Sequence, residues 1–253
     1  MDWRLLSLIC YLQLANSFTS ITKRSFRLKT HDVVTVLSLS SSETGKDGEW
    51  LNLIPDKDGI VKKLILEEGK GSVPSQGSNI EINYVGKLGG TQANWSVDDV
   101  VEAWLQYQQG LSDILEEPFR INNINGQILM DSSIFTEEFV SNELGITNKM
   151  QCKKTIMAAK RLWKQVEEFP EGFEFDSSKE RGKLFSFVLG QGKVIKGMDM
   201  GVSSMKVGEK ARILCRSDYG YGSEGYRTKK GDVVVPPFRT LIFDVELVSS
   251  SSS

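Results

Sequence analysis

Histidine is nearly missing: the chain of 253 residues carries one, His31, in an N-terminal stretch that reads as tail. A Ser-His-Asp triad, a Cys-His dyad or a histidine-built zinc site therefore has no imidazole to draw on in the globular part. Cysteine is scarce as well. Cys10, Cys152 and Cys215 are far apart and no CxxC occurs, so neither a structural zinc nor a disulfide framework is expected. There is no Walker-type phosphate loop and no GxGxxG behind a strand. Neither sign of charge dominates: 31 Lys+Arg stand against 33 Asp+Glu, for a net charge of −2. That balance argues against a nucleic-acid partner for the chain as a whole. What is left, 40% hydrophobic and 25% charged residues, is ordinary globular composition.

The longest apolar run near the start, LLSLICYLQL at residues 5–14, has 10 residues. It is too short to span a bilayer and suits the core of a cleaved signal. Small residues follow at Ala15 and Ser17. Lys23, Arg24, Arg27 and Lys29 then alternate with Ser and Thr, with no acid between Trp3 and His31. Residues 1–31 are read as a leader that opens the secretory route. The bipartite leader of a plastid acquired by secondary endosymbiosis is a second reading. Without cleavage the chain would stay cytoplasmic. Residues 32–58 are read as linker, most clearly SLSSSETGKDG at 38–48, and 249–253 as a disordered tail.

Two patterns divide the remainder. Ile80, Ile82 and Tyr84 alternate with Asn79, Glu81 and Asn83. Leu241, Phe243, Val245 and Leu247 alternate with Thr240, Ile242, Asp244 and Glu246. A period of two with Gly-rich connections predicts an antiparallel sheet with one buried face. Between these strands the period changes. Val97, Val100, Val101, Trp104 and Leu105 follow Ser96 at helical spacing, and Ser96 with Asp99 makes a capping box. Thr136 starts a second helix that Gly145 stops. A third, from about Asn148, puts Cys152, Ile156, Ala159 and Trp163 on one face. The expected class is α+β, with an all-helical unit at 95–163 inserted into a β-rich one built from 59–89 and 172–248. A loop tip is where a host tolerates such an insertion.

The joined flanks resemble the FKBP-type peptidyl-prolyl isomerases. The motifs are INYVGKL (82–88), GFEFDSS (172–178), FSFVLGQGKVIKGMDMGVSSMKVGEKARI (185–213), DYGYG (218–222), VPPF (235–238) and LIFDVELV (241–248), in that order. The resemblance implies a curved antiparallel sheet wrapped on one short helix, here residues 193–201, with an aromatic pocket between them. It places Tyr84, Phe175, Asp176, Arg181, Phe185, Val194, Ile195, Met198, Tyr221, Val235 and Phe243 at that pocket. By the same resemblance the Ile195 N–H and the Tyr221 hydroxyl hold substrate carbonyls, and Asp176 pairs with Arg181. Clients would be proline-containing polypeptides, with neither metal nor cofactor. Taken singly, Phe185 and Phe243 read as core, Asp176 as a turn residue and Tyr221, between glycines, as a loop aromatic.

Two departures from the family pattern stand out. Met198 occupies the pocket floor, where a Trp is usual. This implies weaker binding of rapamycin-like macrolides and reduced isomerase activity. The loop at 223–232 is longer than usual and is expected to overhang the pocket, with Tyr226 and Arg227 read as solvated. The insert, WSVDDVVEAWLQ through KKTIMAAKRL, resembles the sterile alpha motif (SAM) domain, a small five-helix bundle that mediates protein association. Its early part is acidic and includes Glu116 and Glu117. Its last helix is basic, with Lys149, Lys153 and Lys154. Such polarity would let one copy meet another head to tail, whereas the acidic part would repel RNA.

Overall fold

The computed structural model describes residues 49–55 and 59–251. The leader and the 38–48 linker lie outside the described residues. Nine strands are present: β1 (Leu51–Asn52), β2 (Val61–Glu67), β3 (Asn79–Leu88), β4 (Glu174–Ser177), β5 (Phe185–Val188), β6 (Lys210–Cys215), β7 (Tyr226–Arg227), β8 (Val233–Val235) and β9 (Leu241–Ser251). Seven form one antiparallel sheet in the order β1-β2-β6-β9-β3. Beyond β3, its two halves take different partners, β5 along residues 79–82 and β4 along 85–87. β7 and β8 make a separate ribbon.

The alternation read along β3 and β9 is the alternation observed. Ile80, Ile82, Tyr84, Phe243, Val245 and Leu247 are buried on one face. The two strands run side by side from Asn79↔Ser251 to Leu88↔Leu241. That pairing corrects the C-terminal boundary. Residues 249–251 are strand rather than tail, and the Ser249 hydroxyl donates to Glu81 Oε2 at 2.8 Å. Serine has weak strand propensity, but β3 offers these residues a ladder partner. The linker boundary shifts too, since Leu51 and Asn52 pair with Lys63 and Lys62.

One helix, α6 (Lys196–Ser203), packs on the buried face of the sheet. It begins three residues later than the expected span, because residues 191–194 bend and Ile195, its N-cap, is extended. It lies tight against β6: a Cβ on Gly201 would stand 2.3 Å from Ile213 Cδ1. Met198, Val202 and Met205 fill the core beneath it. At its C-terminal end sits a buried ion pair. Lys63 Nζ donates to Glu209 Oε1 at 2.9 Å and to the Ser204 carbonyl at 2.7 Å, so the charge is both paired and hydrogen-bonded.

The helical insert leaves β3 at Leu88 and returns just before β4. A Gln92–Asn94 turn precedes α1 (Val97–Asp99), which continues as a π segment (Val100–Trp104) and a 3-10 turn (Leu105–Tyr107). Then come α2 (Ser112–Ile121), α3 (Gly126–Met130), α4 (Glu137–Asn142) and α5 (Lys149–Glu168). The expected caps are in place. Ser96 and Asp99 form both bonds of the capping box, and the Thr136 hydroxyl accepts from the Phe139 N–H at 3.1 Å. The insert has its own core, in which Trp104 stacks on Phe119 and Phe119 meets Phe135 edge-on. The last helix runs past residue 163 to Glu168, because nothing breaks it before Pro170 and Lys164 pairs with Glu168 at 3.4 Å. At the base the chain is pinched: the Gly172 N–H donates to the Leu88 carbonyl and the Leu88 N–H to the Phe173 carbonyl, each at 2.9 Å. No helix among the described residues is long and apolar enough to cross a membrane.

Candidate functional site

The central strand of the sheet, β3, is thin at one point. A Cβ on Gly86 would stand 2.8 Å from Phe175 Cζ and 3.0 Å from Phe243 Cε1. Only a glycine lets both rings fold over β3, where they meet edge-on with centroids 5.7 Å apart. Tyr84, two residues back on the same face, meets Phe185 edge-on at 5.5 Å and Phe243 at 6.3 Å. Met198 from α6 closes the floor and is itself buried. The result is a cavity of about 180 Å³.

Nine of the eleven expected residues line this cavity: Tyr84, Phe175, Asp176, Phe185, Val194, Ile195, Met198, Tyr221 and Phe243. Two do not. Arg181 stands behind the wall, and Val235 is buried in the core on β8, opposite Tyr226. Lys193 is a lining residue that the motifs did not single out.

The polar edge is a closed network. Tyr84 Oη donates to Asp176 Oδ2, Arg181 Nη1 donates to Asp176 Oδ1, and Arg181 Nη2 donates to Tyr84 Oη at 2.9 Å. The guanidinium also lies over the Tyr84 ring, 5.5 Å from its centroid. Burial, and then the Asp176 carboxylate, push the Tyr84 hydroxyl above its ordinary pKa. Hydrogen bonding to Tyr84 and Asp176 keeps Arg181 firmly charged. Both carboxylate oxygens of Asp176 are thus engaged, which makes it a brace for the wall.

On the other side, Ile195 occupies the N-cap of α6, a position whose N–H the helical ladder does not use. Its carbonyl accepts from the Asp199 N–H at 3.1 Å, and Asp199 Oδ1 accepts from the Gly190 N–H at 2.9 Å, which ties down the loop before it. Burial pushes the Tyr221 hydroxyl up to about 12, with Asp176 adding to the effect. Tyr221 stacks on Tyr226 at 5.2 Å and 27°. This corrects the reading of Tyr226 as merely solvated: β7 pairs with β8 and so delivers its ring to Tyr221. The alternation of a two-residue strand is too short to show in a sequence. A neutral donor, a helix N-cap amide and an aromatic cup can grip and desolvate an amide.

The acidic and basic residues of the insert are also accounted for in part. Lys149, Lys153, Lys154, Glu116 and Glu117 are all exposed. Glu116 is engaged by Arg120, at 3.3 Å. Asp99 and Glu102 face the β-rich body, where Arg216 takes both. Among the described residues no group of three or more His, Cys, Asp and Glu gathers closely enough to hold a metal ion.

Residues 162–248 match the family model described as FKBP-type peptidyl-prolyl cis-trans isomerase. Peptidyl-prolyl cis-trans isomerase Fkbp12 of Drosophila melanogaster is 47% identical over 78 residues, 31% of this chain and 68% of that protein. FK506-binding protein 1 of Dictyostelium discoideum is 49% identical over 78 residues, again 31% of this chain and 68% of the relative. Among solved structures, the N-terminal domain of FKBP42 from Arabidopsis thaliana aligns with a TM-score of 0.43 and 19% identity, covering 83% of this chain and 97% of that one. The family match starts inside α5, and the rest of the insert lies outside it.

Proposed function

Because the chain belongs to the family of FKBP-type peptidyl-prolyl cis-trans isomerases, we propose that the cavity floored by Met198 is where a prolyl amide rotates. The observation that carries this reading is the convergence of nine motif residues from β3, β4, β5, α6 and β9 and the loops beside them on one apolar cup.

The chemistry asks little of the side chains. Rotation about an Xaa-Pro bond breaks no bond but crosses a barrier of about 18–20 kcal/mol, and unassisted exchange takes tens to hundreds of seconds. The planar amide is the more dipolar form, so water favours it over the twisted one. A cup of Phe175, Phe185 and Phe243 removes that water and selectively lowers the transition state. Tyr221 Oη and the Ile195 N–H hold the flanking carbonyls, while Asp176, Arg181 and Tyr84 keep the polar wall in place. A protease-coupled assay on an Xaa-Pro peptide tests this. Wild type should relax the cis fraction faster than buffer and Phe243→Ala more slowly than wild type. A wild-type rate equal to buffer sinks the reading.

Met198 favours a second reading, a weakly active scaffold, since a flexible thioether gives a prolyl ring no flat platform. For the insert we propose a SAM-like role in protein association. Its support is a compact helical unit with its own aromatic core, set beside the active-site body. Self-association would use Lys149 and Lys153 of α5 against Glu117 of a second copy. Sedimentation of wild type and of Lys149→Glu/Lys153→Glu at low salt should then differ; monomers in both cases would remove self-association.

A further inference from the structure

A trough runs from the insert to the loop that follows Tyr221. On the insert it lies between Tyr107, Gln108 and Gln109 after the first helix and Lys154, Met157 and Arg161 on α5, with a volume of about 390 Å³. A second cavity of about 470 Å³ shares Tyr107, Gln108, Gln109, Ala158 and Arg161 with it, so the two are continuous. This second stretch is walled on the body side by Ser223, Glu224, Pro237 and Phe238. It abuts the active site through one turn. The Gly225 N–H donates to the Tyr221 carbonyl at 3.1 Å, and the Phe238 N–H donates to the Gly222 carbonyl at 2.9 Å. Tyr221 faces the prolyl cavity, while its neighbours Ser223 and Glu224 face the trough.

The chemistry of the trough is graded. Lys154 lies at its far end and Arg161 where the two stretches meet; both are exposed, and neither forms an ion pair among the described residues. Between them lies Met157, 58% exposed, and across from it Tyr107, 46% exposed. Large apolar side chains held open beside unpaired cations suit an amphipathic chain better than water. The near end carries an acid, Glu224. Seven residues of helix separate Lys154 from Arg161, about 10 Å at 1.5 Å per residue, which matches about three residues of extended polypeptide.

We propose that the trough is an exosite for the client polypeptide. In it an extended segment lays an acidic residue against Lys154 and Arg161 and an apolar side chain against Tyr107 and Met157, and so delivers a proline further along to the cavity. This rests on the reading of the cavity as the isomerase site. It also specifies a substrate class. The clients carry acids remote from the proline.

The test uses the full chain and three labelled proline peptides: one with two acids spaced three apart on the N-terminal side of the proline, one with them on the C-terminal side, and one with glutamines instead. Fluorescence anisotropy reads binding without reference to catalysis, and the coupled assay reads kcat/KM. One acidic peptide should bind and turn over roughly three- to tenfold better than the glutamine peptide, as two partly exposed ion pairs allow. Lys154→Glu/Arg161→Glu should abolish that preference while leaving a short Xaa-Pro tetrapeptide, and the melting temperature, unchanged. Equal binding of all three peptides overturns the exosite even if the tetrapeptide is isomerised. Acid-selective binding without any isomerisation leaves the exosite standing and removes the isomerase reading. A dimer that the same charge reversal dissociates would put a second copy in the trough and overturn the client assignment.

Discussion

Arg216 reaches 117 residues back along the chain to Asp99: its Nη1 donates to Asp99 Oδ1 at 2.7 Å. The guanidinium sits just past the end of β6 and is almost wholly buried, and it also takes Glu102 at 3.2 Å and Asp218 at 2.9 Å. Burial alone works against its charge, yet the Asp218 and Asp99 carboxylates hold it charged. The other oxygen of Asp99 accepts from the Ser96 N–H at 3.0 Å. One carboxylate thus caps the first helix of the insert and fastens that helix to the isomerase body. Phe238, at a φ of 61°, packs into the insert core beside this clamp and meets Tyr107 at 6.0 Å.

The clamp should make the insert and the catalytic body unfold as one cooperative unit. Arg216→Ala leaves three carboxylates facing one another at a mostly dry junction and should destabilise the protein by about 3–5 kcal/mol. Asp99→Ala, which loses a cap as well as a pair, should couple to it in a double-mutant cycle by about 1–3 kcal/mol. Urea unfolding followed by the tryptophans of the insert and by far-UV ellipticity should give one shared transition in wild type. Two separate transitions would mean the insert melts independently and the clamp does not join them.

Much of this molecule was legible in its residues, and the limits have physical causes. The sheet face showed in the period of two along β3 and β9, and the aromatic cup in the ordered motifs. The Arg216 clamp did not show, because an acidic helix start and a lone arginine each read as solvated surface until the fold apposes them. The Lys63–Glu209 pair was hidden in the same way. The stack of Tyr226 on Tyr221 depends on a strand of two residues, too short for any period. The strand at 249–251 depends on its partner, since the last three residues of β9 and the two beyond it are all serines.

Gly86 shows how a missing side chain shapes the pocket. In an ordinary strand Gly→Ala stabilises, by restricting the unfolded chain. Here the new methyl would meet Phe175 and Phe243 within about 3.0 Å, and both are ring carbons that can move only into the cavity. Gly86→Ala should therefore cost about 1–3 kcal/mol and lower kcat/KM about tenfold. Circular dichroism melts and the coupled assay check the two together. Unchanged activity would mean the rings relax elsewhere.

Met198→Trp adds a flat ring at the floor of a cavity of about 180 Å³ that has room above the thioether. If the soft floor is what limits this isomerase, kcat/KM should rise several-fold and the Kd for a rapamycin-like macrolide should fall. A loss of both activity and stability would show that the buried floor is already full and the substitution overpacks it.

The last prediction concerns Tyr221, whose hydroxyl is held neutral up to about 12 by burial. A phenol in water loses its proton near pH 10. As a carbonyl donor, Tyr221 must keep its proton to work, so kcat/KM should stay level from pH 7 to beyond pH 10 in a short assay. Tyr221→Phe should lower the whole profile about tenfold without moving it. The linkage runs the same way. Between pH 10 and 12 the folded state binds a proton the unfolded chain has lost, so this contribution to stability is complete below pH 10 and fades as pH climbs through that window. The buried Cys215 thiol, also pushed up to about 12 by burial, adds to the loss from pH 9 upward. Denaturation midpoints should therefore fall more steeply above pH 10 in wild type than in Tyr221→Phe. If the two slopes match, or if wild-type activity drops near pH 10, the hydroxyl is open to water and does not grip the substrate.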